Sequence, residues 1–260
     1  MSVLTPDVRL VSTDFDGTIH EDFVRPGIPA ALQQKLAALQ RSGVTWVINT
    51  GRDLPSLLTS LRMADIRVRP DYVVVVEREI FQRTRGDNYV AVDPWNIHCT
   101  ESHAALFADL REVLTGLKAQ LSQAHRAQFY EDKYSPICVV AQDNSQMDQI
   151  EGEVRAVTQP FPEVEAVRNS VYLRLAHRGY SKGTALAELQ RLLQVTAEHT
   201  VVAGDHLNDL PMLDRAYARY LITPQNSVPP VRTKVRLHGG YLASRPSGLG
   251  ILEGLLALGV

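Results

Sequence analysis

The sequence predicts an α/β fold: a Rossmann-like core with a parallel sheet, into which an α+β domain is inserted. Short apolar runs rich in β-branched residues alternate with helical patterns at both ends of the 260-residue chain. Between the two ends, the pattern changes to pairs of strands and longer helices. Polar clusters follow several predicted strands at the point where each strand ends, which is where open parallel sheets bind ligands.

The first part of the chain predicts alternating strands and helices. The run "VRLVSTD" is apolar and β-branched, as is typical of a parallel strand buried on both faces. Leu32, Leu36 and Leu39 recur at helical spacing before Gly43, which is expected to end that helix. In order, the predicted elements are strand 8–14, helix 29–43, strand 44–50, helix 53–63 and strand 71–77.

The same alternation returns towards the other end of the chain. Ser181 is a favourable cap for the helix that follows it, and "HTVVAGD" again has the pattern of a buried strand. Parallel strands joined by helices predict right-handed crossovers within one sheet. In order, the predicted elements are helix 181–195, strand 199–205, helix 207–216, strand 218–223 and a final helix within "SGLGILEGLLALG".

The middle of the chain is too long to be a loop, because structureless loops beyond ~15 residues are uncommon. Its patterns predict a hairpin over 79–93, a long helical stretch over 101–124 and, further on, pairs of strands around another helix. We therefore predict a core formed by 1–79 and 181–260, with an inserted α+β cap domain over 80–180.

Composition and charge narrow the class of protein. A hydrophobic content of 45% is enough for well-formed cores, and a net charge of −2 gives no bulk basic surface for nucleic acid. No apolar run approaches the ~20 residues of a membrane helix, and the N-terminal segment lacks the pattern of a signal peptide. Cys99 and Cys138 indicate no disulfide framework. We expect a cytoplasmic protein with a small-molecule partner, no nucleic-acid or membrane partner, and no indicated oligomeric state.

Three polar clusters follow predicted strands, and a fourth begins a helix. If the strands are adjacent, these clusters converge on one crevice. Crowded carboxylates raise each other's pKa unless a cation lies among them, and oxygen ligands favour Mg²⁺. The Lys182 ammonium and the Thr50 hydroxyl would then hold an anion, for which a phosphoryl group fits best. The clusters are Asp14-Phe15-Asp16-Gly17-Thr18, Asn49-Thr50-Gly51-Arg52, Ser181-Lys182-Gly183, and Gly204-Asp205 with Asn208-Asp209.

These clusters resemble the motifs of the haloacid dehalogenase-like (HAD) phosphohydrolases. "DFDGT" is similar to the first motif, "VINTGR" to the second, "SKG" to the third and "GDHLNDLPML" to the fourth, in the order of that family. The insertion is similar in placement to a type II (C2B-like) cap. Within the superfamily, the chain looks most like the group that contains the Cof-type sugar-phosphate phosphatases and sucrose-phosphate phosphatase. The resemblance implies a Mg²⁺-dependent phosphatase for a small phosphorylated metabolite such as a sugar phosphate.

The resemblance also implies catalytic and metal-binding roles. Asp14 would attack phosphorus and form an aspartyl-phosphate. Asp16 would protonate the leaving oxygen and then activate water. Mg²⁺ would be held by Asp14, by the backbone carbonyl of Asp16 and by Asp205, with Asp209 nearby directly or through water.

The resemblance also implies that Arg52 would orient the second loop or meet the substrate. Arg174 is a candidate on its own residues, because its neighbours in "SVYLRLA" are apolar and a sugar phosphate or a carboxylate would give it a partner. After the third strand many relatives carry Asn-Gly-Ala, where this chain has Glu77-Arg78-Glu79. We expect this departure to leave the phosphoryl-binding machinery untouched. The residues implied to bind phosphoryl oxygens are Thr50, Gly51, Lys182 and Asn208.

Three other functions fit part of the pattern. A phosphomutase would use the same aspartyl-phosphate, and the motifs alone do not separate it from a hydrolase. A signalling receiver also pairs an acceptor Asp with Thr and Lys, but Asp16 and the large insertion argue against it. A catalytically silent phospho-ligand binder would be expected to have lost an acid, whereas Asp14, Asp16, Asp205 and Asp209 are all present.

Overall fold

The computed structural model describes residues 7–64, 66–85 and 88–260. Two compact units are formed: one contains the chain up to Asp93 together with Ser181–Val260, and the other is Pro94–Tyr180. The first is called the core unit below, and the second the inserted unit.

Strands and helices alternate along the described residues. The strands are β1 (Leu10–Thr13), β2 (Thr45–Asn49), β3 (Tyr72–Val75), β4 (Glu79–Arg83), β5 (Tyr89–Ala91), β6 (Gln128–Asp132), β7 (Ser135–Val140), β8 (Val164–Asn169), β9 (Tyr172–His177), β10 (Thr200–Ala203), β11 (Tyr220–Thr223) and β12 (Tyr241–Leu242). The helices are α1 (Ala30–Arg41), α2 (Leu54–Met63), α3 (Trp95–Asp109), α4 (Arg111–Ala124), α5 (Asn144–Thr158), α6 (Lys182–Leu193), α7 (Pro229–Leu237) and α8 (Ser247–Ala257).

The core unit is built on one sheet with the strand order β12-β11-β10-β1-β2-β3-β4-β5. All neighbours from β12 to β3 are parallel, and β4 and β5 add an antiparallel edge. The chain moves outward from β1 through β2 and β3, and later returns to β10 on the other side of β1. The strand order therefore reverses beside β1, and open α/β sheets bind their ligands at such a point.

Apolar side chains on the strands and helices form the core of this unit. Every residue of β1 is buried, as expected for a parallel strand covered on both faces. Leu32 and Leu36 of α1 pack in the same cluster as Trp46 of β2. Asp53 caps α2 as predicted, because its side chain accepts a hydrogen bond from the backbone N–H of Ser56 at 2.8 Å.

The inserted unit has its own sheet and its own core. Its four antiparallel strands are in the order β6-β7-β9-β8. Leu121 of α4 and Ile150 of α5 pack with Val139 and Leu173 from the strands in one buried cluster. The helical stretch predicted over 101–124 is two helices, α3 and α4, which meet at Leu110.

The boundary between the units differs from the predicted one at 79/80. The predicted hairpin over 79–93 belongs to the core sheet, because β4 pairs with β3 in the register Val74 to Ile80. The predicted turn of this hairpin includes Gly86 and Asp87, which lie outside the described residues. Ile80 is fully buried, and Phe81 packs against the core cluster. The alternating pattern predicts a hairpin, but it does not show which strand of which sheet the hairpin pairs with.

Helices of the described residues are all too short or too polar to cross a membrane.

Candidate active site

The predicted clusters meet at the carboxyl end of β1 and its two neighbours. Asp14 directly follows β1, Thr50 directly follows β2, and Asp205 comes two residues after β10. The backbone N–H of Asp14 donates to the carbonyl of Ala203 at 2.9 Å, so the ladder between β1 and β10 continues up to this carboxylate. Adjacent strands thus bring side chains that are far apart in sequence to one edge of the sheet.

Lys182 lies at the centre of the site and is completely buried. Its Nζ atom is 2.6 Å from Oδ1 of Asp14 and 2.6 Å from Oδ1 of Asp209. Two contacts hold the start of α6 in position. Ser181 caps the helix as predicted, with a reciprocal capping box to Thr184, and Asn49 donates from Nδ2 to the carbonyl of Lys182 at 3.0 Å.

Carboxylates outnumber the ammonium group in this buried region, and their pKa values reflect the imbalance. Burial, with the negative charge of Asp209 next in importance, raises the pKa of Asp14 well above its usual range. Burial and then the charge of Asp209 also raise the pKa of Asp205 to about 7. Burial would lower the pKa of Lys182, but the charges of Asp14 and Asp209 outweigh it and raise that pKa. An additional cation would relieve the remaining repulsion.

A divalent cation fits the donor set of this cluster. Asp14, Asp205 and Asp209 each offer a carboxylate oxygen, and these three atoms lie within 4.8 Å of one another. Such oxygen donors suit a hard ion.

Asp209 also has a structural role, because both of its carboxylate oxygens accept hydrogen bonds from the protein. Oδ1 accepts from Lys182, and Oδ2 accepts from the backbone N–H groups of Asp205 and His206 at 2.8 and 2.9 Å. Asp209 therefore shapes the loop that carries Asp205.

The turn after β1 is closely fitted to Asp205. Gly17 has a φ of 74°, and a Cβ atom there would lie 2.6 Å from Oδ2 of Asp205. Thr18 donates its hydroxyl to Oδ1 of Asp205 at 2.6 Å, and Asn226 donates from Nδ2 to the carbonyl of Gly17 at 2.8 Å. Sequence reasoning missed Thr18 and Asn226 as supporting residues. Thr18 lies inside the first motif, whereas nothing in the local pattern around Asn226 indicates its contact.

Arg52 binds Asp16 in this structure. Its Nε and Nη2 atoms lie 2.6 Å from the two carboxylate oxygens of Asp16, a bidentate ion pair. His20 Nδ1 is 3.5 Å from Oδ1 of the same carboxylate. Burial would raise the pKa of Asp16, but the nearby His20 ring and the hydrogen bonds from Arg52 lower it to about 2. The carboxylate is therefore ionised near neutral pH.

The loop after β2 and the fourth motif are joined through Glu77. Glu77 is almost fully buried and accepts a hydrogen bond from Nδ2 of Asn208 at 2.9 Å. Thr50 is also buried, and its hydroxyl accepts from the backbone N–H of Arg52 at 3.2 Å. The departure at Glu77-Arg78-Glu79 was expected to leave the phosphoryl-binding machinery untouched. That expectation was wrong, because Glu77 contacts a predicted phosphate-binding residue.

Arg174 belongs to the inserted unit and is nearly buried on β9. Its Nη1 atom is 3.3 Å from Oδ2 of Asp132, and its guanidinium lies 5.9 Å from the ring centre of Tyr172. Arg174 is thus paired within the inserted unit, and its predicted specificity role stays a prediction.

Carboxylates and a buried lysine, gathered where the strand order of a parallel sheet reverses, form the candidate site of a phosphohydrolase, and solved phosphatases of the HAD superfamily share its fold. The family model described as Sucrose-6F-phosphate phosphohydrolase matches residues 7–258, and the chain belongs to this family. Both the predicted fold class and the predicted enzyme class, a phosphoric monoester hydrolase of the group that includes sucrose-phosphate phosphatase, are confirmed.

Individual relatives are distant in sequence. The chain is 24% identical over 214 residues to 5-amino-6-(5-phospho-D-ribitylamino)uracil phosphatase YcsE of Bacillus subtilis (strain 168), an alignment that covers 81% of this chain and 82% of YcsE. The sucrose-phosphatase of Synechocystis sp. PCC6803, solved with sucrose and phosphate, superposes with a TM-score of 0.73 at 19% identity, covering 96% of this chain and 97% of that one. The HAD phosphatase BT1666 of Bacteroides thetaiotaomicron gives a TM-score of 0.62 at 18% identity, covering 100% and 99%.

Proposed function

We propose that the protein is a Mg²⁺-dependent phosphatase that hydrolyses a small sugar phosphate through an aspartyl-phosphate intermediate. The observation that carries this proposal is the buried cluster of Lys182 with Asp14, Asp205 and Asp209 at the carboxyl end of β1. In this proposal the substrate is a free metabolite of the cytoplasm, and the protein has no nucleic-acid or membrane partner.

The first half-reaction transfers the phosphoryl group to the protein. An oxygen of Asp14 forms a bond to phosphorus as the bond from phosphorus to the leaving oxygen breaks, and the leaving oxygen takes a proton from Asp16. Lys182 supports this step with its positive charge, because negative charge is spread over the phosphoryl oxygens in the transition state. Asp14, the Asp16 carbonyl and Asp205 would hold Mg²⁺, which supplies further neutralisation of that charge when bound.

Asp16 must change its protonation state during the cycle. Paired with Arg52 it is ionised, which suits a base that takes a proton from the water attacking the aspartyl-phosphate. To donate a proton in the first half-reaction it must first gain one, and a protonated carboxyl does not hold a guanidinium in an ion pair. We infer that Arg52 moves away from Asp16 before the leaving oxygen is protonated.

The substrate class is supported by the relatives. One is a phosphatase for a phosphorylated ribitylamino compound, and another is a sucrose-phosphatase. Both names describe monoesters on a sugar or a sugar alcohol. The substrate proposed for this chain is therefore a sugar or sugar-alcohol phosphate.

The test is phosphate release from a panel of sugar, sugar-alcohol, nucleotide and cofactor phosphates, with Mg²⁺ and with EDTA. We expect release that requires Mg²⁺ and is fastest with sugar or sugar-alcohol phosphates. Phosphorus NMR of the same reactions follows the substrate itself. An isomeric phosphate ester without free phosphate would indicate a phosphomutase, and no reaction by a folded, metal-loaded protein would favour a binder.

Affinity for Mg²⁺ is expected to fall in acid. The pKa of Asp205 is raised to about 7 by burial and by the charge of Asp209, so below that pH a proton competes with the metal for this carboxylate. Affinity should fall about tenfold for each pH unit below the pKa and level off above it. Titration calorimetry over this range measures both the affinity and the protons released. Constant affinity without proton release would contradict a raised pKa at the metal site.

A further inference from the structure

Glu77 is held in an unusual backbone conformation beside the candidate site. It follows β3, and both Val76 and Glu77 have positive φ values, 44° and 69°, which residues other than glycine seldom adopt. The backbone N–H of Val76 donates to the carbonyl of Arg52 at 2.8 Å, and that of Glu77 donates to the carbonyl of Thr50 at 2.9 Å. The turn after β3 is thereby attached to the loop after β2, and strain of this kind is often found at functional sites.

The Glu77 carboxylate is surrounded by predicted phosphate-binding groups. Its exposed fraction is 5%, and Oε1 accepts from Nδ2 of Asn208 at 2.9 Å. A Cβ atom on Gly51 would lie 3.4 Å from the same oxygen. Oε2 lies 3.6 Å from Nη2 of Arg78, which is completely buried and compensates the charge. A buried carboxylate would repel an anion bound beside it, so its presence here indicates that it positions a neighbouring group.

The hydrogen bond to Glu77 determines which way the Asn208 amide faces. An ionised carboxylate only accepts hydrogen bonds, so the amide must turn its NH₂ group towards Glu77. Oδ1 of Asn208 is buried and has no hydrogen-bond partner among the described residues. Rotating the amide would bring two acceptor oxygens together, which makes the observed orientation strongly preferred. The second N–H of the same group remains to donate to an anion.

We propose that Glu77 is a positioning residue, which fixes the Asn208 amide so that its remaining N–H is directed to a bound phosphoryl group. This inference rests on the proposed function, because it assigns Glu77 to the phosphoryl-binding part of that site. Glu77 acts through Asn208 and does not itself touch the substrate.

The test measures binding of inorganic phosphate to the Mg²⁺-loaded protein by titration calorimetry. Glu77→Gln keeps an acceptor for Asn208, and its affinity should be no weaker than that of the unmodified protein. Glu77→Leu removes the acceptor, and its affinity should fall about tenfold, the loss expected when a charge-assisted contact is misdirected. Glu198→Gln, which removes a carboxylate that is mostly exposed in the same unit, is the matched control and should not differ.

A double-mutant cycle separates positioning from a general loss of structure. In an Asn208→Ala background, Glu77→Leu should cause no further loss of phosphate affinity, because the group it positions is absent. Equal losses of phosphate affinity for Glu77→Gln and Glu77→Leu would overturn the proposal. It would also be overturned if Glu77→Leu lowered the phosphate affinity as much in the Asn208→Ala background as it does in the unmodified protein. Thermal unfolding of each variant identifies any that fail to fold.

A readout without phosphate keeps the inference separate from the proposed function. In protein labelled at asparagine, the side-chain amide resonance of Asn208, assigned from its loss in Asn208→Ala, should be retained in Glu77→Gln and displaced in Glu77→Leu. An unchanged resonance in Glu77→Leu would overturn the inference. If the unmodified protein binds no phosphate while the resonance responds as expected, the proposed function fails and the Glu77–Asn208 contact stands.

Discussion

Replacing Asp14 with asparagine is expected to reduce phosphate release at least about 10⁴-fold, the scale of loss when a nucleophile is removed. The amide has nearly the same shape as the carboxylate, but it cannot form the aspartyl-phosphate. The variant should nevertheless fold. Burial, followed by the charges of Asp209 and Asp205, raises the pKa of Asp14, so removing its negative charge relieves both the cost of burial and the repulsion. Lys182 keeps its contact with Asp209.

The measurement is phosphate release by Asp14→Asn with the best substrate of the panel, together with thermal unfolding without metal. Asp7→Asn is the matched control, because it makes the same chemical change at an exposed position of the core unit. Its turnover should equal that of the unmodified protein. Turnover by Asp14→Asn within about tenfold of the unmodified enzyme would remove Asp14 as the nucleophile and with it the proposed intermediate.

Replacing Lys182 with methionine is expected to lower the free energy of unfolding of the core unit by about 3–5 kcal/mol, as for other buried ion pairs that lose one partner. Lys182 is completely buried and lies 2.6 Å from oxygens of both Asp14 and Asp209. Its pKa is raised in the folded state, so its contribution is fully present at neutral pH and is lost only as the pH rises through that raised pKa. Turnover should also be lost, because the proposed cation on the phosphoryl oxygens is gone.

Urea unfolding followed by tryptophan fluorescence measures this effect. The chain has two tryptophans, and a Trp95→Phe background leaves Trp46, in β2 of the core unit, as the reporter. Mg²⁺ should recover part of the lost stability, because a bound cation compensates the same carboxylates. Lys182→Met combined with Asp14→Asn should be more stable than Lys182→Met alone, since the double variant has one fewer unpaired charge. Equal stability of Lys182→Met and the unmodified protein would show that the buried cluster is held by other contacts.

Much of the candidate site could be predicted from the sequence because its residues come directly after apolar runs. A run such as "VRLVSTD" identifies a buried parallel strand, and the end of such a strand is where polar side chains reach a ligand crevice. Asp14, Thr50 and Asp205 all meet at one edge of the sheet, as predicted. The capping residues Asp53 and Ser181 were also predicted, because a cap depends on atoms only three residues away.

Other features involve contacts between distant parts of the chain, which a local pattern does not encode. The pattern of β4 and β5 predicts a hairpin, but only the register with β3 assigns it to the core sheet. Arg52 was expected to orient its loop or meet the substrate, which stays a prediction, and its bidentate contact with Asp16 could not be read from the sequence.

The sequence by itself determined the parallel-sheet core, the order of the motifs and the residue types that make phosphoryl transfer possible. Apolar periodicity is a property of neighbouring residues, and strand ends follow directly from it. The tertiary structure alone decided which of those polar side chains pair with one another. Glu77 meets Asn208 across 131 positions of sequence because the strands that precede them, β3 and β10, lie in one sheet, and strand order depends on the packing of the whole core unit.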